Sequence, residues 1–246
     1  MMMKRLFGAG CVLALGLLVP AYAADEKPNP AAKNLNRDNP RHKEFLKRIE
    51  KSKGKGDVIF LGDSITHGWE GQKAWTKYFG EFNPVNLGIG GDQTGHVLWR
   101  ITEGKELEHL NPKAAVIMIG TNNTGGHSAE QIAGGIKAIV EELKKQKPSM
   151  KILVLGVFPR GNGGDADEET FTIPAAKLNK KIPAINAIIS KLDDGKTVFY
   201  KDIGKDFLTP EGGLWDYIMP DYLHLSRKGY AIWGKAIKGD LEKLVK

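Results

Sequence analysis

Cysteine is all but missing from these 246 residues; its single occurrence is Cys11, close to the N-terminus. No intrachain disulfide can staple the fold, so stability has to come from a buried core, for which the chain is long enough. No apolar run reaches the roughly 20 residues that span a bilayer as a helix. The six histidines (42, 67, 96, 109, 127 and 224) show neither His-x-His nor His-Glu-x-x-His spacing. A metal set built from Asp63, His67 and Asp92 is therefore set aside, and no metal is expected. Gly88-x-Gly90 breaks the Gly-x-Gly-x-x-Gly spacing of a dinucleotide loop, so no organic cofactor is expected either. Charge of one sign is not concentrated: 36 basic residues stand against 29 acidic ones, for a net +7. The densest basic stretch, residues 41–55, reads as a solvated helix face and loop, which argues against a nucleic-acid partner.

What is present begins with a leader pattern. Lys4 and Arg5 precede an apolar run over residues 6–19, and Ala21-Tyr22-Ala23 places small residues where a signal peptidase reads. Residues 1–23 are thus expected to be a signal peptide cleaved after Ala23, making the protein periplasmic or secreted, with no membrane span left after processing. Residues 24–40, rich in proline and asparagine, form an N-terminal tether or an irregular wrap. Residues 41–246 carry no internal repeat and read as one domain.

Within that domain, apolar runs of strand length recur at wide intervals. They are Val58-Ile59-Phe60-Leu61, Val85-Asn86-Leu87, Ala115-Val116-Ile117-Met118-Ile119, Ile152-Leu153-Val154-Leu155 and Thr197-Val198-Phe199-Tyr200. Mostly unalternating runs suit parallel strands buried on both faces. Helical patterns lie between them. Ser128 and Gln131 form a capping box ahead of Ile132, Ile136, Ile139, Val140 and Leu143, with Pro148 as the stop. A last helix starts at Ser226 and turns Tyr230, Trp233, Ile237, Leu241 and Leu244 inward. Alternating strands and helices predict an α/β domain, with helices on both faces of an approximately five-stranded parallel sheet. Ligands bind outside the carboxyl ends of such strands.

The polar blocks stand at those ends. Gly62-Asp63-Ser64 follows the first run, Gly88-Ile89-Gly90-Gly91-Asp92 the second, and Gly120-Thr121-Asn122-Asn123 the third. Asp221-Tyr222-Leu223-His224 precedes the final helix. A serine hydroxyl needs a base to take its proton as it attacks, and imidazole is suited to that near neutral pH. Asp221, three residues before His224, can hold the ring and stabilise its charged form. The Ser64 and Gly91 amides and the Asn122 side chain are candidate donors to a developing oxyanion. His67 competes as base, but three residues along the same helix it would point past the hydroxyl. Each block alone has a plainer reading: Ser64 as a helix cap, the glycines as turn formers, Asn122 and Asn123 as loop formers, Asp221 as turn chemistry and His224 as a core histidine. Those readings do not predict all four blocks together, in this order, at strand ends.

The combination resembles the four signature blocks of the SGNH (GDSL-type) hydrolases. Between them, Asn86-Leu87-Gly88, His96-Val97-Leu98-Trp99-Arg100, Gly134-Gly135-Ile136, Pro159-Arg160-Gly161 and Leu223-His224-Leu225 are similar to the catalytic subunits of platelet-activating-factor acetylhydrolase. The resemblance runs from about residue 58 to 244. It implies a flavodoxin-like three-layer α/β/α sandwich without cofactor or metal. Ser64 is then the nucleophile, His224 and Asp221 complete the triad, and Ser64, Gly91 and Asn122 line the oxyanion hole. The implied reaction is hydrolysis of a short-chain carboxylic ester of a small molecule, polysaccharide or lipid. Asn123 stands where many members carry aspartate, and the loop over residues 161–172 is longer than in the acetylhydrolase subunits. The Gly-x-Ser-x-Gly elbow of the α/β-hydrolases is absent around Ser64. The contrasting expectation is a secreted carbohydrate- or lipid-binding module on the same scaffold, without turnover. A homodimer is compatible with the sequence but not required by it.

Overall fold

The computed structural model describes residues 28–37, 39–161 and 172–246. The expected leader and its cleavage point lie outside the described residues. Five strands, β1 (Val58–Gly62), β2 (Pro84–Gly88), β3 (Ala114–Met118), β4 (Lys151–Leu155) and β6 (Val198–Lys201), form one parallel sheet in the order β2-β1-β3-β4-β6. This is the flavodoxin-like order, in which the chain leaves β1 for one neighbour, β2, and returns to the other, β3. Val58 pairs with both Pro84 and Ala114.

The unalternating runs have a simple physical origin. Ile59 and Leu61 point into a core shared with α1 (Pro40–Lys51), α4 (Thr94–Ile101), α5 (Ala129–Gln146) and α6 (Lys181–Ile189). Val58 and Phe60 point the other way, toward α2 (Ser64–His67), α3 (Lys73–Phe79) and α7 (Arg227–Leu244). Side chains alternate along a strand, so burying both faces requires apolar residues at every position. The result is the three-layer sandwich expected from the sequence. The capping box at Ser128 and Gln131 and the cap at Ser226 are both in place. Among the described residues, no helix is long and apolar enough to cross a membrane.

One feature was not foreseen, and one alternative was left open by the sequence. A short antiparallel ribbon joins β5 (Thr172–Ile173) to β7 (Leu214–Trp215) beside the main sheet. Two-residue strands are too short to leave a periodic signal. The proline- and asparagine-rich stretch is, in its described part, a wrap laid on the domain and not a free tether. Asn29 Nδ2 donates to the Gln131 carbonyl at 2.9 Å, Thr94 Oγ1 donates to the Ala31 carbonyl at 2.6 Å, and the Leu35 amide donates to Gly95 at 3.0 Å. The seat is made by glycine: a Cβ on Gly135 would meet Ala31 O at 2.5 Å, and one on Gly134 would meet Asn29 Nδ2 at 2.3 Å. Each glycine costs a helix interior about 1 kcal/mol relative to alanine.

Candidate active site

Gly62, at the carboxyl end of β1, leads into the turn that carries Ser64. Asp63 is fully buried and caps α2, its Oδ1 accepting from the Ile65 amide at 2.9 Å. That cap places Ser64 in the first turn of the helix, with its hydroxyl at the sheet edge. Burial raises the Asp63 carboxyl to about 7; the Ile65 bond opposes the shift and the nearby Asp92 charge adds to it.

Ser64 Oγ lies 2.8 Å from His224 Nε2. On the far side of the ring, His224 Nδ1 is 2.6 Å from Asp221 Oδ2. A carboxylate only accepts, so Nδ1 carries the proton and Nε2 is left to accept from the serine hydroxyl. Asp221 also takes the amides of Leu223 at 3.1 Å and His224 at 2.6 Å through Oδ1. Partial burial pushes its carboxyl up, but the bonds from the His224 side chain and the two amides outweigh that and hold it below the ordinary value. Between acid and base, Tyr222 sits at φ 56°, a left-handed conformation costly for a bulky residue. Its carbonyl is held by the Gly161 amide at 2.9 Å and its own amide by Met219 at 2.8 Å. His67 does not reach for the hydroxyl; its Nε2 faces Glu70 Oε2 at 3.7 Å.

The two other candidate donors follow the other two strand ends. Gly91 has φ +78°, which only glycine adopts without strain, and it follows β2. Asn122 follows β3, and its Nδ2 donates to the Asp92 carbonyl at 2.9 Å. Among the described residues, neither the Ser64 nor the Gly91 amide is bonded to a protein acceptor. Asn123 has a different duty. It is buried, accepting from the Thr94 amide at 3.0 Å and donating to Thr94 Oγ1 at 3.2 Å, which locks the third block to the second.

Ser64, His224 and Asp221 are therefore joined by hydrogen bonds beside the end of β1, and the loops bearing Gly91 and Asn122 follow the neighbouring strands β2 and β3. The arrangement can abstract a hydroxyl proton and can offer amide donors to a nearby negative oxygen. The site is open: the His224 and Asp221 side chains remain 44% and 56% exposed. A cavity of about 750 Å³ lies elsewhere, between α1, α3 and the edge strand β2, and none of the five lines it.

Reasoning from sequence missed the groups that hold these residues. Asp92, buried, receives Arg100 Nε at 3.0 Å, and Arg100 Nη1 pairs in turn with Glu106, whose other oxygen faces His42 Nδ1 at 3.2 Å. Arg160 donates through Nε to Gly161 at 3.1 Å and through Nη1 to Thr121 Oγ1 at 3.4 Å. Burial lowers the Arg160 guanidinium from its usual value, offset in part by Asp63 and Asp221. Arg100 and Arg160 both lie in stretches that carried the family resemblance without a catalytic duty. Their presence there was the available signal.

Known proteins resemble this chain in sequence and in fold. The profile of the GDSL-like lipase/acylhydrolase family matches residues 60–232. The alpha1 subunit of platelet-activating factor acetylhydrolase IB from Bos taurus is 36% identical over 189 residues, 77% of this chain and 76% of that protein. Among solved structures, a GDSL-like lipase from Bacteroides thetaiotaomicron superposes with a TM-score of 0.62 at 20% identity, covering 82% of this chain and 97% of the other. A carbohydrate acetylesterase from Sinorhizobium meliloti does so with a TM-score of 0.59 at 19% identity, covering 77% of this chain and all of the other.

Proposed function

This chain belongs to the GDSL-like lipase/acylhydrolase family and is a carboxylic ester hydrolase; from that premise we propose that it cleaves short-chain, acetyl-type esters through an acyl intermediate on Ser64. The observation that carries the reading is the continuous bond path from Ser64 Oγ through the His224 ring to Asp221. As Ser64 Oγ bonds to the ester carbonyl carbon, His224 Nε2 takes the hydroxyl proton, and Asp221 stabilises the imidazolium. The carbonyl oxygen becomes an alkoxide facing the Ser64 amide, the Gly91 amide and Asn122 Nδ2. Collapse breaks the bond to the alcohol, which leaves with the proton from His224. Water, deprotonated by the same nitrogen, then attacks the acyl carbon, and the carboxylic acid departs as Ser64 regains its proton.

The acyl group is short by analogy with the acetylhydrolase relative. On the alcohol side, the openness of the site suits a bulky leaving group, either an acetylated polysaccharide or a phospholipid-like ester. The leader pattern supports an exported enzyme and favours the polysaccharide. A binding module on this scaffold would have no use for a proton relay, which argues against the non-catalytic reading.

The test is direct. A fluorophosphonate should label Ser64 stoichiometrically, and Ser64→Ala should abolish p-nitrophenyl acetate turnover while its circular dichroism stays that of the parent. Undiminished turnover in Ser64→Ala would overturn the mechanism. The N-terminal mass of the exported protein tests cleavage after Ala23, and a panel of acetylated sugars and acetyl-phospholipids tests the alcohol side.

A further inference from the structure

We propose that Arg37, carried by the docked N-terminal segment, is a positioning residue that holds and polarises the peptide unit supplying the Gly91 oxyanion donor. The inference rests on the esterase reading above and extends it to a part of the chain outside the four catalytic blocks.

The geometry is specific. Arg37 Nη1 donates to the Gly90 carbonyl at 2.9 Å and lies 3.3 Å from Asp92 Oδ1. A Cβ built on Gly91 would meet the same nitrogen at 3.3 Å, so the guanidinium lies alongside the oxyanion loop. The Gly90 carbonyl and the Gly91 N–H are opposite ends of one planar trans peptide. Holding the oxygen therefore sets the direction in which the N–H points. A cationic donor on the oxygen also draws electron density toward it and strengthens the N–H as a donor, because bonded groups in a chain polarise one another.

Charge bookkeeping points the same way. Asp92, Arg100 and Glu106 are buried at 1%, 2% and 0% exposure, two carboxylates against one guanidinium, with the His42 ring at the Glu106 end. An uncompensated buried charge is costly, and Arg37 supplies the second cation at the mouth of the network. Burial raises the Asp92 carboxyl from its usual value, and the Arg100 and Arg37 charges oppose that. The Arg37 charge thus works against the rise that burial imposes on Asp92. Asp92 is also the residue whose backbone carbonyl fixes Asn122. Arg37 therefore touches both the Gly90 carbonyl and the residue whose backbone holds Asn122.

The N-terminal segment is built to deliver it. The glycine pair of α5, with Gly95 on α4, lets the backbone of the segment lie flat on the domain, and Asn29, Ala31 and Leu35 pin it at three points before Arg37. A disposable tether has no need of such a seat.

The full chain is compared with Arg37→Met and Arg37→Lys on p-nitrophenyl acetate, by binding of phenylboronic acid and by the rate of fluorophosphonate labelling. Boronic acid becomes a tetrahedral anion on a serine, so its affinity reports the oxyanion wall and not ground-state binding. Arg37→Met should lower kcat about tenfold to a hundredfold, part of what losing one whole oxyanion donor costs. KM should stay within about twofold, and boronate affinity should fall in step with kcat/KM. Arg37→Lys should recover part of the loss. Retention of kcat within about twofold in Arg37→Met overturns the inference, as does a raised KM at unchanged kcat, which would make Arg37 a substrate-binding group. If the parent itself is not labelled at Ser64, the esterase reading falls and this inference with it. If the parent is labelled and Arg37→Met is labelled equally fast, only this inference falls.

Discussion

The Asn122 side-chain amide is tied to the Asp92 backbone carbonyl at 2.9 Å. One of its two N–H groups is thereby committed, and the planar amide cannot rotate without breaking that bond. The loop that bears Gly91 and the side chain of Asn122 are consequently one mechanical unit, although they follow different strands. On the proposed mechanism, donors preorganised in this way would act without reorganising as charge develops.

Removing that unit's outer member should be felt in turnover. Asn122→Ala is expected to lower kcat by about 10²–10³, with KM and the melting temperature little changed. Steady-state kinetics beside a thermal melt decide it. A fall in KM-based affinity alone would move Asn122 into substrate binding.

Asp221→Asn tests the tautomer. The new amide keeps an oxygen for the Leu223 and His224 amides, so the turn should survive. Its N–H₂ would face His224 Nδ1, which must then accept, leaving Nε2 protonated and unable to take the serine proton. A loss of about 10⁴ in kcat is expected by analogy with triads of this chemistry. Rates measured from pH 5 to 9 alongside circular dichroism check it, and an active variant would show that Asp221 merely braces the loop.

Asp63 offers a stability test. Its Oδ2 is buried and has no hydrogen-bond partner among the described residues. With the folded carboxyl at about 7 and the unfolded one at 3.8, the folded state binds the proton more tightly across that window. Its contribution to stability is therefore fully present below the unfolded value and is lost as pH rises through about 7. Asp63→Asn retains the cap on Ile65 and removes the titration. The stability of the parent relative to the variant should decline between pH 4 and 8, by about 4 kcal/mol at the most. Thermal or urea unfolding across that range measures the slope, and a pH-independent difference would contradict the raised carboxyl.

Gly91→Ala should damage both fold and function. At φ +78° an alanine costs about 1–2 kcal/mol, and the added methyl would press on the Arg37 guanidinium. A lower melting temperature together with a reduced kcat is expected. Unchanged kinetics would separate the Gly91 amide from the oxyanion.

Much of this molecule could be read in advance where chemistry is local. The inner strands β1, β3 and β4 were visible because both faces of each are buried, which forces apolar residues at nearly every position, while the half-buried edge strands β2 and β6 kept shorter apolar runs. The α5 start was visible because Ser128 and Gln131 satisfy each other's backbone partners within one turn. Ser64, Gly91, Asn122, Asp221 and His224 were visible because each follows a strand or precedes a helix in a recognisable block. The β5–β7 ribbon was not, since its two short strands pair only through contacts distant in the chain. Nor was the seating of the N-terminal segment, because proline and asparagine describe a free tether and a docked wrap equally well.

By itself, the amino-acid order determined which groups are chemically able to react and how strands and helices alternate, because both depend on residue type and near neighbours. It could not determine that Ser64 Oγ and His224 Nε2, 160 positions apart, come within 2.8 Å. Nor could it determine that Arg37 rests on the Gly90 carbonyl, or that Asp92, Arg100 and Glu106 share one buried charge network. Those are decided by the packing of the three layers. Close approach of distant groups depends on where the whole sheet places its carboxyl ends, and a buried charge persists only where the fold brings it a partner.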